Sequence, residues 1–202
     1  MKQDKKNIIF TIGHSNHPVE KFIALLKQHA ISLVTDVRSE PYSRYCMHFN
    51  KAELEGYLKK EDIRYLYMGK ELGARPNSDR YYDGNKVNLD KLLEGEEFRQ
   101  GMHWLLVHVP DERMALMCAE KDPLYCHRMI ILSRQLKSYH IDIKHILEDG
   151  TLEDQHQAEV RMVDLLKIAP TLFEPDLTEA ELIEQAYEKQ KENISFSVEQ
   201  TP

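Results

Sequence analysis

The sequence predicts an α/β protein of three layers, a mainly parallel sheet flanked by helices, with a C-terminal helical extension. Short apolar runs alternate with segments of helical periodicity, as crossover connections between parallel strands require. The 202 residues are 42% hydrophobic, enough for one substantial core. After residue 150 the chain carries 4 Lys/Arg against 12 Asp/Glu, out of 27 and 34 in total. We therefore expect an α/β domain at 1–150 and an acidic helical extension at 151–202.

Three strands and two helices alternate in the first part of the chain. Apolar residues recur at helical spacing after Pro18, and Asn50 and Glu53 have the spacing of a capping box. The predicted elements are a strand at 7–13, a helix at 17–30, a strand at 31–39, a helix at 50–61 and a strand at 63–69.

A long loop and further alternation follow. Two glycines and one proline fall in the first fourteen residues of 71–86, so we predict a surface loop there. The later predicted elements are helices at 96–109, 126–139, 153–169 and 178–192, and strands at 113–119 and 141–147. The last two helices dock on the body or, in a homodimer, on a second copy.

Polar side chains follow three of the predicted strands. Ligands of open parallel sheets bind beyond the carboxyl ends of the strands, so these side chains are the candidate site. After the first strand come His14 and Ser15; after the second come Asp36, Arg38, Ser39 and Arg44; after the fourth come Cys118, Glu120, Cys126, His127 and Arg128.

Four sequence blocks stand out in order along the chain: TIGHS (11–15), DVRSEPYSR (36–44), YLYMGKELG (65–73) and CAEKDPLYCHR (118–128). Together they resemble the signature blocks of the domain of unknown function 488 family. The resemblance extends from about Ile8 to residue 150. It implies an intracellular α/β domain with a recurrent set of polar residues and no signature cofactor.

Cys126 is the candidate nucleophile. If a helix begins near Tyr125 or Cys126, the sulfur lies where unpaired backbone N–H groups favour an anion. His127 and Arg128 beside it favour the thiolate further. The alternative is a purely structural role, in which Cys118 and Cys126 are small core residues, since free cysteines are among the most buried residue types.

The other strand-end residues suggest an anion pocket. Arginine side chains offer planar forks to phosphate or carboxylate. Asp36 is costly to bury unpaired, so we expect Arg38, Arg128 or His14 to contact it. The predicted proton-transfer groups are His14, Asp36 and Glu120; the predicted ligand-binding groups are Ser15, Arg38, Ser39, Arg44, Cys118, His127 and Arg128. Alternatively, Arg128 pairs with Asp122 or Glu120 across the turn.

These residues predict a pocket for a small anionic ligand that bears a phosphate or a nucleotide. The activity could be that of a cysteine-dependent hydrolase or transferase. No glycine-rich Lys-Ser/Thr loop and no C-x5-R spacing is present, so two common phosphate-binding templates are excluded.

A metal site is one alternative. Suitable ligand types are Cys118, Cys126, His127, His14 and Asp36. The spacing C-x7-C-H differs from the short C-x2–4-C pairs of zinc ribbons, which disfavours it.

Nucleic-acid binding or processing is the other alternative, because the loop at 71–86 combines basic residues with Tyr81 and Tyr82. The same loop can instead cover the pocket as a lid. We favour the lid, since the chain has a net charge of −7 and no basic stripe.

The sequence also predicts a cytoplasmic protein without a membrane partner. No apolar run approaches the roughly 20 residues of a membrane-spanning helix, and MKQDKKNIIF lacks the apolar stretch of a signal peptide. The three cysteines, Cys46, Cys118 and Cys126, are an odd number, which favours reduced thiols over a disulfide framework.

Overall fold

A computed structural model describes residues 7–170 and 176–197, and it confirms the predicted α/β class. The strands are β1 (Ile8–Gly13), β2 (Leu33–Asp36), β3 (Arg64–Tyr67), β4 (Tyr82–Asp83), β5 (Lys86–Val87), β6 (Met114–Cys118), β7 (Asp142–Ile146) and β8 (Leu152–Asp154). Six of them form one sheet in the order β3-β2-β6-β1-β7-β8. All neighbours are parallel except β7 and β8, while β4 and β5 form a separate hairpin.

Helices and short turns connect the strands. The helices are α1 (Val19–Gln28), α2 (Lys51–Lys59), α3 (Gly69–Leu72), α4 (Leu89–Leu93), α5 (Glu96–His108), α6 (Arg134–Ser138), α7 (Gln155–Leu166) and α8 (Glu179–Ile194). A π-helical segment, Arg128–Ser133, leads directly into α6. Turns of 3₁₀ helix lie at Met47–Phe49, Asp79–Tyr81 and Pro123–Tyr125.

Helices cover both faces of the sheet, which gives the three predicted layers. On one face, α1 and α2 contribute Phe22, Leu26, Leu54 and Leu58 to a core shared with alternate strand residues. On the other face, α3 to α6 pack in the same way. The central strands β1, β2 and β6 are therefore buried on both sides, as their nearly continuous apolar runs predict.

A third apolar cluster involves the C-terminal helices. Met162 of α7 and Tyr187 of α8 pack with Leu124 and Met129, which come from the segment between β6 and α6. The capping box of Thr178 and Glu181 at the start of α8 is present as predicted from the sequence. The division at residue 150 stays a prediction.

Several local predictions were wrong. Asn50 occupies the N-cap position of α2, but its Oδ1 accepts a hydrogen bond from the backbone N of Ser43 and does not bond to the helix. The helix predicted at 126–139 begins one residue later, at His127, and continues as the π-helical segment from Arg128. The loop at 71–86 is partly ordered by a 3₁₀ turn and by the β4–β5 hairpin.

Three short elements, β8, α3 and α4, were not predicted. They are three, four and five residues long, so none of them shows a clear period in the sequence. Within the described residues, no helix is both long and apolar enough to span a membrane.

Candidate functional site

The carboxyl ends of β2, β6 and β1 lie side by side, with β6 in the middle. In the parallel register, Gly13 is paired with Cys118 and Asp36 with Met117. Cys118 shares its face of the sheet with Met114 and Leu116, a direction that the uniformly apolar strand sequence did not reveal.

Two thiols, an imidazole and a carboxylate meet at the end of β6. Glu120 Oε2 lies 3.0 Å from the Sγ of Cys118 and 3.3 Å from the Sγ of Cys126. The Nδ1 of His127 lies 3.6 Å from the Sγ of Cys118 and 3.8 Å from that of Cys126. We call these four residues the thiol cluster. Both cysteines are buried. They are therefore core residues, and they also contact the polar side chains of the cluster.

The segment between the two cysteines is held by local hydrogen bonds. Asp122 Oδ1 accepts from the backbone N of Leu124, and the N of Cys126 donates to the carbonyl of Pro123 at 3.1 Å. This turn folds the chain back, so that Cys126 returns to Cys118 at the strand end. The close return explains how residues eight positions apart share one site.

Gly13 allows this segment to approach β1. A Cβ at Gly13 would lie 1.9 Å from the carbonyl oxygen of Glu120, far inside contact distance. The backbone N of His14 also donates to the carbonyl of Cys118 at 2.9 Å, which extends the pairing of the two strands. A side chain at position 13 would displace the Glu120 carbonyl.

Arg128 is almost fully buried, at 1% exposure, and it braces the same segment. Its two terminal nitrogens donate to the carbonyls of Glu120 and Lys121, at 2.7 and 3.0 Å. It does not form the ion pair considered from the sequence, because the Asp122 carboxylate pairs with Arg161 at 2.8 Å. Arg128 therefore places a positive charge behind the thiol cluster that, among the described residues, is held by backbone carbonyls and forms no salt bridge.

The environment separates the pKa values of the two thiols. Burial alone raises the pKa of Cys126, but a hydrogen bond from Cys118 and the charges of Arg128 and His127 outweigh it and lower that pKa well below the ordinary thiol value. The pKa of Cys118 is raised by its hydrogen bond to Cys126 and by burial. Cys126 is thus the sulfur that favours the thiolate.

Arg38 and Asp36 form a buried ion pair. The Nε and Nη2 of Arg38 donate to the two carboxylate oxygens of Asp36, at 2.9 and 2.6 Å, and Nη2 also donates to the carbonyl of Phe49. Tyr65 donates a further hydrogen bond to Asp36 at 2.7 Å. The expected contact between Asp36 and Arg38 is present.

His14 lies next to this pair. Its Nδ1 donates to the carbonyl of Ser15 at 2.7 Å, so its Nε2 can accept from Nη1 of Arg38 at 3.0 Å. Burial and then the charge of Arg38 lower the pKa of His14 to about 4. The imidazole is therefore neutral at neutral pH and orients the arginine.

A pocket of about 140 Å³ opens on the thiol cluster. Its lining includes Arg38, Ser39, Glu40, Arg75, Cys118, Glu120, Tyr125, Cys126, His127 and Ile194. A larger pocket of about 620 Å³, near Ile63 and Trp104, contains none of the predicted site residues.

Some predicted residues do not line the pocket. In the described part of the chain, His14 and Asp36 lie behind Arg38, and Arg128 lies behind the thiol cluster. The hydroxyl of Ser15 contacts Asn16. Arg44 is exposed in the loop after β2 and is not among the lining residues.

Arg75 lines the pocket, although it was not among the site residues predicted from the sequence. Its guanidinium lies over the ring of Phe196, 4.4 Å from the centroid, and its backbone N donates to Ser39 Oγ at 2.9 Å. The only sequence signal was its position in the loop at 71–86. In the same loop, Tyr81 is buried and its hydroxyl donates to Glu97, so its ring face is not free for stacking.

Fold and site together define an α/β protein with a thiol cluster at the carboxyl ends of its parallel strands. The chain matches the family profile described as "Domain of unknown function DUF488" over residues 18–135, more than half of its length. It therefore belongs to that family. Three of the four sequence blocks that resemble the family lie within the matched range, and the block at 11–15 precedes that range. Neither a curated protein nor a solved structure gives a significant match.

Proposed function

We propose that the strand-end pocket binds a small anionic ligand and that the thiol of Cys126 reacts with it, as in a cysteine-dependent hydrolase or transferase. The observation that carries this proposal is the position of the Cys126 sulfur. It contacts Glu120 and His127 at a pocket whose wall also includes Arg38 and Arg75. A nucleophile, proton-transfer groups and cationic groups thus share one cavity.

The size of the pocket limits the ligand. Drug-sized molecules occupy pockets of roughly 300–1,000 Å³, and one water takes about 30 Å³. A volume of about 140 Å³ therefore suits a phosphate group or a short carboxylic acid better than a whole nucleotide.

Two arginines contribute unequally to anion binding. Three of the four N–H groups on the terminal nitrogens of Arg38 are used by Asp36, Phe49 and His14, which leaves one N–H for a ligand. Arg75 forms no ion pair within the described residues and is exposed on the pocket wall. We assign the main electrostatic attraction to Arg75 and the fixed hydrogen bond to Arg38.

The reaction that fits this arrangement is nucleophilic displacement. The Cys126 sulfur forms a bond to the electrophilic atom of the ligand, and the leaving group departs with the electron pair of the broken bond. Glu120 or His127 supplies the proton that the leaving group needs. Water in a hydrolase, or a second acceptor in a transferase, then cleaves the bond to sulfur and restores the thiol.

Other strand-end residues position these groups. His14 and Asp36 fix the guanidinium of Arg38, and Arg128 fixes the backbone that carries Glu120. A reducing cytoplasm, as proposed from the sequence, would keep both thiols available.

Inorganic phosphate is a suitable probe for this function. We expect phosphate to bind the metal-free protein, measured by calorimetry, and Arg75→Ala to weaken binding by about tenfold, the value of one charge-assisted hydrogen bond. Arg80→Ala is the matched control, because Arg80 lies in the same loop but pairs with Glu97 outside the pocket.

Equal loss of phosphate affinity in both arginine variants would reduce the effect to net charge and contradict the pocket. If phosphate does not bind but a single-stranded oligonucleotide does, with an affinity that falls steeply with salt, the nucleic-acid function replaces the one proposed here.

A further inference from the structure

The spacing of the ligand atoms in the thiol cluster matches a tetrahedral metal site. Zinc binds cysteine sulfur at about 2.3 Å and histidine nitrogen at about 2.0–2.1 Å. Tetrahedral angles then place sulfur and nitrogen about 3.6 Å apart. The Nδ1 of His127 lies 3.6 Å from Cys118 Sγ and 3.8 Å from Cys126 Sγ, and all three atoms lie within 4.8 Å of one another.

The imidazole of His127 is oriented as metal ligands usually are. Its Nε2 donates to the carbonyl of Val37 at 3.1 Å, so Nδ1 is the nitrogen that faces the sulfurs. A histidine that binds metal through one nitrogen commonly donates from the other to a backbone carbonyl or a carboxylate. The Val37 carbonyl, at the end of β2, fills this role.

Three protein ligands leave the fourth coordination position open. Glu120 Oε2 contacts both sulfurs and lies on the side of the pocket, but it is outside the group of three mutually close ligand atoms. Two thiolates and one imidazole with an open fourth position are a ligand set that zinc accepts. The other candidate ligands considered from the sequence, His14 and Asp36, are occupied by Arg38 and lie outside this group.

We propose that Cys118, Cys126 and His127 form a zinc site whose fourth coordination position faces the pocket. Each thiol loses its proton to solvent when the metal binds. This site rests on the geometry of the cluster and not on the proposed function. The two are related, because the sulfur lone pairs that bind zinc are unavailable for attack on a ligand; the zinc-bound protein and the thiol-reactive protein are alternative states.

The sequence spacing that disfavoured a metal is overcome by the fold. Zinc ribbons bring two cysteines together with a short C-x2–4-C turn. Here the turn at Pro123–Tyr125 and the contacts of Arg128 with two carbonyls return Cys126 to Cys118 across seven intervening residues.

Zinc content and cobalt spectroscopy test the site. Full-length protein purified without chelator is expected to contain one zinc per chain by elemental analysis. When Co²⁺ replaces zinc, intense thiolate-to-cobalt charge-transfer absorption and the visible bands of tetrahedral Co²⁺ are expected. Cys118→Ser should lower metal affinity by more than the roughly 10- to 100-fold that loss of an outer-shell partner costs, whereas Cys46→Ser, outside the cluster, should not change it.

A measurement on the unmutated protein protects the test against misfolded variants. Zinc added to chelator-treated protein should shield Cys118 and Cys126, but not Cys46, from alkylation mapped by mass spectrometry. Octahedral cobalt spectra without charge transfer, or equal alkylation with and without zinc, would overturn the metal site. Phosphate binding by the metal-free protein is measured separately, so failure of one proposal is distinguishable from failure of the other.

Discussion

The ion pair of Asp36 and Arg38 is the most buried charge pair near the pocket, with exposures of 0% and 5%. Asp36→Asn leaves the Arg38 charge without its partner, and breaking a buried pair costs about 3–5 kcal/mol. We therefore expect the free energy of unfolding to fall by that amount in urea titrations.

Tyr65→Phe is the control for this substitution, because it removes one hydrogen bond from the same carboxylate and keeps the ion pair. A loss of about 1–2 kcal/mol is expected. If Asp36→Asn is no more costly than Tyr65→Phe, the ion pair does not hold the strand end as described.

His145 makes the stability of the fold depend on pH. Its Nε2 donates to Gln155 Oε1 at 2.9 Å, and its Nδ1 lies 2.7 Å from the hydroxyl of Thr11, which can donate to the neutral ring. Burial, and then the charge of Arg128, lower its pKa from 6.5 to about 4. Between these values the unfolded chain binds more protons, so stability is full above pH 6.5 and falls toward pH 4.

The contribution of His145 over this range is about 3 kcal/mol. His145→Gln should therefore flatten the decline of unfolding free energy between pH 6.5 and 4 by about that amount, measured by urea titration at several pH values. His156→Gln, at an exposed position, should leave the decline unchanged; a decline that His145→Gln does not alter would contradict the neutral buried ring.

For individual residues, the sequence indicated that Asp36 would need a partner if buried, and Arg38 was one of the partners expected. It did not indicate that Arg38 would also bond to His14, or which residue of the loop at 71–86 would line the pocket. Those contacts depend on loop conformations between elements, and side-chain type carries little information about them.

Among the structural elements, the close packing of β1 against the segment after β6 depends on Gly13. Gly13→Ala puts a methyl group 1.9 Å from the Glu120 carbonyl. We expect a loss of about 1–3 kcal/mol from overpacking, measured by chemical denaturation, and weaker phosphate binding because the segment that carries Glu120 moves.

Gly56→Ala is the matched control. Nothing lies within 4 Å of a Cβ at Gly56, which is inside α2, so alanine should stabilise the protein by about 0.5–1 kcal/mol. If both alanines have the same effect, the approach of the two segments is not as tight as the structure shows.

Elements with a clear period were predictable and short ones were not. The apolar spacing of α1 and α5 identified both helices, and the apolar runs identified β1, β2, β3, β6 and β7. The π-helical start at Arg128 was missed because helical periodicity does not distinguish it from an α-helix. The turn at Pro123–Tyr125 returns Cys126 to Cys118, and helical periodicity does not reveal such a turn, so the geometry of the thiol cluster could not be predicted from the sequence.

Across the whole molecule, the apolar clusters connect the α/β layers to the C-terminal helices. Leu124 and Met129 pack with Met162 and Tyr187, and Gln190 donates to the carbonyl of Leu124 at 2.7 Å. We therefore expect one cooperative unfolding transition, with circular dichroism and tyrosine fluorescence giving the same midpoint. Separate transitions would instead mean that 151–202 unfolds independently.

The same packing closes the pocket. Ile194, at the end of α8, lines it, and Phe196 supports Arg75. The change to an acidic composition after residue 150 predicted an acidic C-terminal extension. Composition does not indicate which apolar side chains of that extension pack against the rest of the protein. The overall α/β architecture was predictable because apolar runs and segments of helical periodicity alternate along most of the sequence.

One measurement tests most directly whether the thiol of Cys126 belongs to an anion-binding pocket. The metal-free protein is alkylated with iodoacetamide, with and without phosphate, and the modification of each cysteine is measured. Phosphate should slow modification of Cys126 in the native protein and leave Cys46 unaffected, and Arg75→Ala should remove most of that protection. Modification of Cys126 at the same rate with and without phosphate, while phosphate is present at saturating concentration, would contradict the shared pocket.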